Sequence, residues 1–351
     1  MQTSANPVLV DVVRGGLVES QHRGAFVVRN AAGHVLCRAG DIERRVFARS
    51  AVKLLQALPL VTSGAADHWG FDDAELALAC ASHNGEDMHV QTAASMLRKA
   101  GLDEHALECG IHAPYFAPAQ AALLAGGHTP CALHNNCSGK HAGFVALGAF
   151  RALSAAKRIA PREWLRGYVA HDHALMNEVS QSVANATSVD LNNASRGIDG
   201  CSIPTHAVPL DQLALAYARV ASGEGLSAAD AQAAVRLRRA IARVPQMVGG
   251  TDRFDTVVMQ RLGERVCCKV GAEGVYCAAL PDPGLGVAIK MDDGNNARAV
   301  EVVMATLIQH LVTLDEPERA FVHGLSNITL RNWRGIEVGA LRASPALRNA
   351  L

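Results

Sequence analysis

The sequence predicts an α/β fold: an antiparallel sheet built from both chain ends and flanked by helices, with a large α-helical region inserted between those ends. Three observations support this. Short apolar runs bounded by turn residues open the chain and predict strands. From about residue 50 to about residue 245 the text is rich in Ala and Leu with helical periodicity. Strand patterns return near residue 265.

The elements follow in that order. "PVLVDVVRGG" and "GAFVVRNAAGHVLCRAG" read as strands, with "NAAG" as a hairpin turn. The inserted helices include "DDAELALACASH", "GKHAGFVALGAFRALS", "PLDQLALAYARVAS" and "SAADAQAAVRLRRAIARVP", where "DD" and "SAAD" are N-terminal capping signals. Near the end, "RVCCKVGAEGVYCAALPDPGLGVAIKMDDG" predicts two or three antiparallel strands. A helix at "NNARAVEVVMATLIQHLVTL" and a strand pair at "NITLRNWRGIEVGALRAS" complete the chain.

The same pattern predicts the domain organisation. We expect residues 1–49 and 246–351 to form an α/β sheet region and residues 50–245 to be mainly α-helical. A chain of 351 residues is larger than the usual single domain. Ligands favour the clefts where such blocks meet, so we expect the functional site in a cleft between the two regions.

Composition excludes several function classes. Hydrophobic residues make up 49% of the chain, charged residues 19%, and the formal net charge is zero. No basic stripe indicates a nucleic-acid partner, and no apolar run approaches the length of a membrane span. The N-terminus has no positively charged segment followed by an apolar run, so we expect no signal peptide and a cytoplasmic protein. The nine cysteines are odd in number and irregularly spaced, which argues against a disulfide framework.

Three short motifs point to a single site. "RSAVK" places Ser50 three residues before Lys53 at the head of a helix, "ASHNGE" gives Ser82 and Asn84, and "CKVGAEG" gives Lys269 on a returning strand. In order they read S-x-x-K, S-x-N and K-x-G, close to the three motifs of serine β-lactamases and penicillin-binding proteins. Each motif alone is weak, but the ordered set, on the expected kinds of element, is stronger.

The residue types suit nucleophilic catalysis. A serine hydroxyl is a poor nucleophile at neutral pH and needs a neighbouring base. A lysine in an apolar setting near a second cation can lose its proton and act as that base. Ser50 and Lys53 share a helix face, and Lys269 supplies the second cation. The alternative is that Ser50 caps a helix while Lys53 extends outward to solvent.

At this point the chain resembles the L-asparaginase II family of inducible asparaginases, which is similar in fold to serine β-lactamases and glutaminases. The matching stretches run from about residue 8 to about residue 340 and include "VRGGLVESQHRG", "RSAVKLLQALPL", "LACASHNGE", "HNNCSGKHAG", "GIDGCSIPTHAVPL" and "KVGAEGVYCAALPD". The most specific are "NNCSGKHAG" and "GIDGC". The resemblance implies hydrolysis of L-asparagine to L-aspartate and ammonia through a serine acyl-enzyme, and a homodimer.

The resemblance also implies residue roles. Ser50 is the expected nucleophile and Lys53 its base, while Ser82 and Lys269 form a second pair that moves protons to the leaving ammonia and from the hydrolytic water. The expected substrate-binding residues are those that the matching motifs place around these pairs: Arg49, His83, Asn84 and Asp199.

A zinc ion is the expected cofactor by the same resemblance, held by Cys137, Lys140 and Cys201. From the residues alone the set is unusual, because two cysteines 64 positions apart make no familiar zinc motif. The alternative is a buried Cys137 and a Lys140 that anchors a loop before a helix. We expect the metal to tune substrate affinity rather than to generate the nucleophile.

Two other functions remain open from the sequence. Cys137 with His141 as its base would make a cysteine-dependent amidohydrolase. A penicillin-binding-like sensor that acylates without turnover, or an inert binding protein, would need no hydrolytic step. Asparagine and glutamine differ by one methylene, which a pocket distinguishes only modestly, so the choice of asparagine depends on the family.

Overall fold

The computed structural model describes residues 5–154 and 159–351. The strands are β1 Val8–Arg14, β2 Leu17–Asn30, β3 Val35–Ala39, β4 Arg45–Phe47, β5 Arg196–Ile198, β6 Pro204–Pro209, β7 Cys267–Val270, β8 Val275–Leu280, β9 Leu285–Met291, β10 Asn327–Arg331 and β11 Glu337–Ala343.

The α-helices are α1 Lys53–Thr62, α2 Ala65–His68, α3 Asp73–Ala79, α4 Asp87–Lys99, α5 Ala117–Ala125, α6 Ser138–Ser154, α7 Pro161–Trp164, α8 Ala174–Thr187, α9 Leu210–Ser222, α10 Ala228–Arg243, α11 Phe254–Leu262, α12 Val300–Leu311, α13 Glu316–Ser326 and α14 Pro345–Asn349. Short 3₁₀ turns cover Arg49–Val52, Glu104–Ala106, Ala132–His134, Pro245–Met247 and Gly263–Arg265. In the part of the chain described, no helix is both long and apolar enough to span a membrane.

The main sheet confirms the predicted fold class. Its order is β10-β11-β1-β2-β9-β8-β7, with β3 also paired to β2, and every pairing is antiparallel. Strand β2 is 14 residues long, so its first half pairs with β1 and its second half with β9 and β3. The N-terminal strands β1 and β2 therefore lie side by side in the sheet, with C-terminal strands on both sides of them.

Contacts divide the chain into two compact units. The sheet unit comprises the described residues up to Ala51, Ala207–Gly225 and Arg265–Leu351, and the helical unit comprises those of Val52–His206 and Leu226–Glu264. Helix α9 belongs to the sheet unit, although its sequence continues the Ala- and Leu-rich helical pattern of the inserted region.

Helices cover both faces of the main sheet. All six residues of β8 are buried, and since successive strand residues point to opposite faces, neither face of β8 is open to solvent. Helix α9 packs on β2, β8 and β9, and α12 packs on β1, β8, β9 and β11. Gly286 permits the close approach of α9, because a Cβ there would lie 2.0 Å from the carbonyl oxygen of Ala214.

The helical unit packs around α1 and α6. The first eight residues of α1 are all buried, and α1 contacts α3, α6, α8 and α10. A Cβ at Gly139 on α6 would lie 2.3 Å from Leu78 Cγ on α3, so only glycine allows this helix pair to approach so closely. The predicted capping signals are confirmed: the Asp72 carboxylate accepts from the Glu75 N–H at the start of α3, and the Ser227 hydroxyl accepts from the Asp230 N–H at the start of α10.

Candidate active site

Lys53 is the first residue of α1 and is 1% exposed. Its Nζ lies 2.5 Å from the Ala81 carbonyl oxygen, 2.9 Å from Ser82 Oγ and 3.0 Å from Cys137 Sγ. Three partners fill the bonding positions of a lysine nitrogen in either state, because an ammonium has three N–H groups and an amine has two N–H groups and a lone pair. The Ser82 hydroxyl can accept a hydrogen bond from an ammonium or donate one to a neutral amine. The contacts therefore place the lysine nitrogen where it can exchange a proton with Ser82 Oγ.

Ser82 lies in an irregular segment that follows α3. Its backbone N–H donates to the Val248 carbonyl at 2.9 Å, and the next N–H, of His83, donates to the Asn136 carbonyl at 3.1 Å. Ser82 is buried and so is Asn84, whose side-chain amide donates to the Thr251 carbonyl at 3.2 Å. Backbone contacts on both sides thus fix the Ser82 hydroxyl beside Lys53.

His83 is fully buried, and both of its ring nitrogens are engaged. Ser138 Oγ donates to the Leu133 carbonyl at 2.8 Å, so in its 3.0 Å contact with His83 Nε2 the hydroxyl accepts and Nε2 carries the proton. Nδ1 accepts from the Gly85 N–H at 3.1 Å. Burial, and next the stacked ring of His89, lower the pKa of His83 well below its usual range. A neutral His83 with no free nitrogen holds the Ser82 segment against the start of α6.

The three residues predicted to hold zinc come together in the helical unit. Cys137 immediately precedes α6, Lys140 lies in its first turn, and Cys201 lies in the turn after β5. Lys140 Nζ is 3.0 Å from Cys201 Sγ, and the Cys201 thiol hydrogen-bonds to Cys137. Because Cys137 also contacts Lys53, the predicted metal residues and Lys53 form one connected buried cluster.

The cluster separates charge between its members. The hydrogen bond from Cys201, assisted by the charges of Lys140 and Lys53, lowers the pKa of Cys137 well below its usual range against the opposing effect of burial. The pKa of Cys201 is raised, first by its hydrogen bond to Cys137 and then by burial. Burial works against the Lys140 ammonium, but the two sulfurs more than offset it and the pKa of Lys140 is raised. Cys137 is thus the thiolate of the cluster.

The donor set is compatible with zinc. Two cysteine sulfurs are ligands that zinc accepts, and the low pKa of Cys137 supplies one thiolate in advance. The Lys140 nitrogen would have to lose its proton to bind a metal, against its raised pKa. Across residues 5–154 and 159–351, no three His, Cys, Asp or Glu side chains are grouped to hold a metal ion. If zinc binds here, Cys137, Cys201 and the Lys140 nitrogen would hold it, and its binding would release protons from Cys201 and Lys140.

Asp199 lies beside this cluster, half-buried in the turn that leads to Cys201. Its side chain accepts from the Gly200 N–H at 2.6 Å, and its backbone N–H donates to Ile203 at 2.9 Å. The Asp199 carboxylate adds to the field that raises the pKa of Lys140, after the two cysteines.

The other predicted site residues belong to the sheet unit. Arg49 and Ser50 lie in the 3₁₀ turn before α1, and Arg49 has a left-handed φ of 51°. Lys269 is on β7, 3% exposed, with Nζ donating to the Val270 carbonyl at 2.9 Å. A Cβ at Gly271 would lie 2.8 Å from the Ala48 carbonyl, so the end of β7 reaches the segment that carries Ser50.

The alternative Cys137–His141 pair does not form in the described part of the chain. His141 Nδ1 contacts Tyr168 Oη at 2.5 Å, and its Nε2 is buried without a hydrogen-bond partner there. Burial, and then the charges of Lys140 and Lys53, lower the pKa of His141 well below its usual range.

Sequence reasoning missed one segment of the site. Val248 to Arg253, "VGGTDR", bonds to the Ser82 segment through Val248 and Thr251, and Arg253 Nη1 donates to Asn84 Oδ1 at 3.2 Å. The Gly-Gly pair between two helical runs is a loop signal that marks the position, although it does not reveal the contact.

Comparison with known proteins gives two results. Residues 10–343 match the family described as L-asparaginase II. No curated protein sequence matches.

Among solved structures, the chain is similar to Mglu in its native form, with 14% identity, a TM-score of 0.37, and coverage of 84% of this chain and 66% of that one. It is also similar to Mglu in its tris and glutamate form, with 13% identity, a TM-score of 0.37, and coverage of 89% and 65%. The chain thus spans slightly less than two thirds of these two Mglu chains.

Proposed function

Because this chain belongs to the L-asparaginase II family, we propose that it hydrolyses the side-chain amide of L-asparagine to give L-aspartate and ammonia through a serine acyl-enzyme. The observation that carries the proposal is the buried contact of Lys53 Nζ with Ser82 Oγ at 2.9 Å. A lysine nitrogen held against a hydroxyl in an apolar interior is the arrangement that serine–lysine catalysis requires.

Ser50 is the proposed nucleophile. Its Oγ attacks the amide carbon, Lys53 accepts the hydroxyl proton, and the tetrahedral intermediate collapses to an aspartyl ester with loss of ammonia. Ser50 and Lys53 are three positions apart in the sequence, so their Cα atoms are at most about 11 Å apart in any conformation of the chain. The proposal requires the Ser50 hydroxyl to reach the Lys53 nitrogen when substrate is bound.

The second pair completes the proton transfers. The contact between Lys53 and Ser82 supports a path by which the proton taken from Ser50 passes through the Ser82 hydroxyl to the leaving amide nitrogen. In the second half-reaction, the same path takes a proton from the water that attacks the ester. Lys269 is the proposed partner of Ser82 in these transfers.

The remaining predicted residues serve the substrate and the metal. We assign Arg49, Asn84 and Asp199 to substrate binding, and His83 to an indirect role through the Ser82 segment, since both of its nitrogens have protein partners.

Zinc is the proposed cofactor, with Cys137, Lys140 and Cys201 as its ligands. When bound, it would supply a positive charge that neutralises the thiolates and attracts the substrate. On family grounds we propose that the protein is cytoplasmic and forms a homodimer. Light scattering after size-exclusion chromatography tests the homodimer.

An ammonia-release assay with variants tests the function. Wild type is expected to turn over L-asparagine many times per active site, and Ser50→Ala is expected to abolish this. Loss of turnover in Cys137→Ala with retention in Ser50→Ala would instead support the cysteine-dependent hydrolase. A single acylation event without further ammonia release would identify a sensor. L-Glutamine in parallel reports selectivity.

A further inference from the structure

The segment Gly249 to Arg253 is fixed against the Ser82 segment by more than the Asn84 contact. The Thr251 N–H and Oγ1 donate to the two carboxylate oxygens of Glu86 at 2.8 and 2.6 Å. Gly250 has a φ of 106°, and a Cβ there would lie 2.4 Å from Glu86 Oε1. The Glu86 carboxylate is therefore used to hold this segment in place.

Arg253 is the cation that this segment presents. One guanidinium nitrogen, Nη1, donates to Asn84 Oδ1 at 3.2 Å. A guanidinium has five N–H donors, so four remain. Within the described residues, no carboxylate forms an ion pair with Arg253, which is half-buried. A partly buried guanidinium with free donors and no counter-ion is suited to binding an anion from outside the chain.

The two lysines of the candidate site in the helical unit already have protein partners. Lys53 has three partners on its nitrogen, and Lys140 is paired with Cys201 in a buried cluster. Lys53 has no donor left for a ligand's carboxylate, and Lys140 is 1% exposed. Arg253 donates to the side chain of Asn84, which lies two positions after Ser82 in the sequence. Its other four N–H donors remain available for a ligand.

We propose that Arg253 determines specificity by binding the α-carboxylate of a free amino-acid substrate. Its planar donors match a carboxylate bidentately, and Asn84 orients the guanidinium through its side-chain oxygen. This inference rests on the proposed amidohydrolase function. The site then accepts free amino-acid amides and discriminates against the same side chain when the α-carboxylate is blocked.

The test pairs a residue change with a substrate change. L-Asparagine is compared with L-aspartic acid diamide, in which a neutral amide replaces the α-carboxylate, and hydrolysis of the side-chain amide is followed chromatographically. Arg253→Met is expected to lower kcat/KM for L-asparagine by about 10- to 100-fold, mostly through KM, and to change that for the diamide little. Arg253→Lys should fall between, because it keeps the charge without the planar donors.

A structural role for Arg253 predicts a different result. If Arg253 only braces the Asn84 segment, Arg253→Met lowers kcat/KM equally for both substrates, and the inference is overturned. Arg239→Met, an exposed arginine on α10 that pairs with Glu264, is the matched control and should leave both substrates unaffected.

Calorimetry tests the role of Arg253 independently of whether the enzyme hydrolyses asparagine. Titration of L-asparagine and of the diamide into Ser50→Ala, with and without Arg253→Met, measures recognition without turnover. If wild type fails to hydrolyse asparagine, the proposed function fails, yet the titration still decides the inference. Equal affinity of the Ser50→Ala protein for both compounds, or no detectable binding of either, would refute a role for Arg253 in binding the α-carboxylate.

Discussion

The nitrogen of Lys53 provides the sharpest test of the proposed chemistry. Lys53→Met keeps an unbranched side chain of similar length in the buried position and removes the atom that contacts the Ala81 carbonyl, Ser82 Oγ and Cys137 Sγ. A positioned general base contributes about 10²- to 10⁴-fold in rate, which corresponds to about 3–5 kcal/mol of transition-state stabilisation. We expect a fall in kcat of that size.

The same substitution has a smaller effect on folding. The Ala81 carbonyl and the Cys137 thiolate each lose a donor, at about 1–3 kcal/mol for a buried group left unsatisfied. Because the buried polar nitrogen of Lys53 is also removed, its own cost of burial disappears and offsets part of that loss. Because folded domains are stable by about 5–15 kcal/mol, the variant is expected to remain folded, and its lost turnover then reports on chemistry.

Ammonia release under saturating L-asparagine measures kcat, and a thermal melt confirms folding. The matched control is Lys290→Met, a lysine of β9 whose nitrogen donates to the Glu273 and Met291 carbonyls. The control should keep wild-type kcat. A folded Lys53→Met protein with kcat close to that of wild type would refute the assignment of Lys53 as the base.

Three further predictions concern pH, packing and metal. Burial holds the pKa of His141 well below the ordinary histidine value of about 6.5, so the unfolded chain binds the proton first and the free energy of unfolding falls as pH drops below about 6.5. Denaturant titrations from pH 8 to pH 5 should show a smaller loss of stability for His141→Gln than for wild type. Gly139→Ala should destabilise the protein and reduce activity, because its Cβ would meet Leu78 Cγ at 2.3 Å, whereas Gly324→Ala, with nothing within 4 Å, should be neutral in thermal melts and assays. Cys201→Ala should lose the zinc that wild type retains on dialysis, as read by elemental analysis, and equal zinc contents in the two proteins would contradict the proposed ligand set.

The sheet and the helical insertion could be predicted because their signals are local. Apolar runs between turn residues mark β1, β2, β8 and β9, and capping residues such as Asp72 and Ser227 mark helix starts. The assignment of α9 to the sheet unit could not be predicted, because its periodicity is that of any amphipathic helix. Only its packing against the main sheet, through close contacts such as that of Ala214 with Gly286, distinguishes α9 from the helices of the other unit.

The site could be predicted by residue type but not by contact. Motif order identified Lys53 and Ser82, and the family resemblance identified Cys137, yet nothing in the sequence indicates that the Lys53 nitrogen contacts both of the other residues. His83 reads as a ligand-binding histidine until the Ser138 hydroxyl, 55 residues away, is seen to accept from it. Arg253 has no motif at all, since its relevance comes from a long-range contact with the Ser82 segment.

Direct detection of the covalent intermediate tests the central claim. Wild type and Ser82→Ala are mixed with L-asparagine, quenched in acid within the first turnovers, digested with pepsin and examined by peptide mass spectrometry. The proposed mechanism predicts an aspartyl ester on the peptide that contains Ser50 in wild type. In Ser82→Ala the ester should both form and disappear more slowly, because the Ser82 hydroxyl transfers protons in both half-reactions. The mechanism would be contradicted by an ester on Ser82 in wild type, by a thioester on Cys137, or by rapid ammonia release with no acylated peptide.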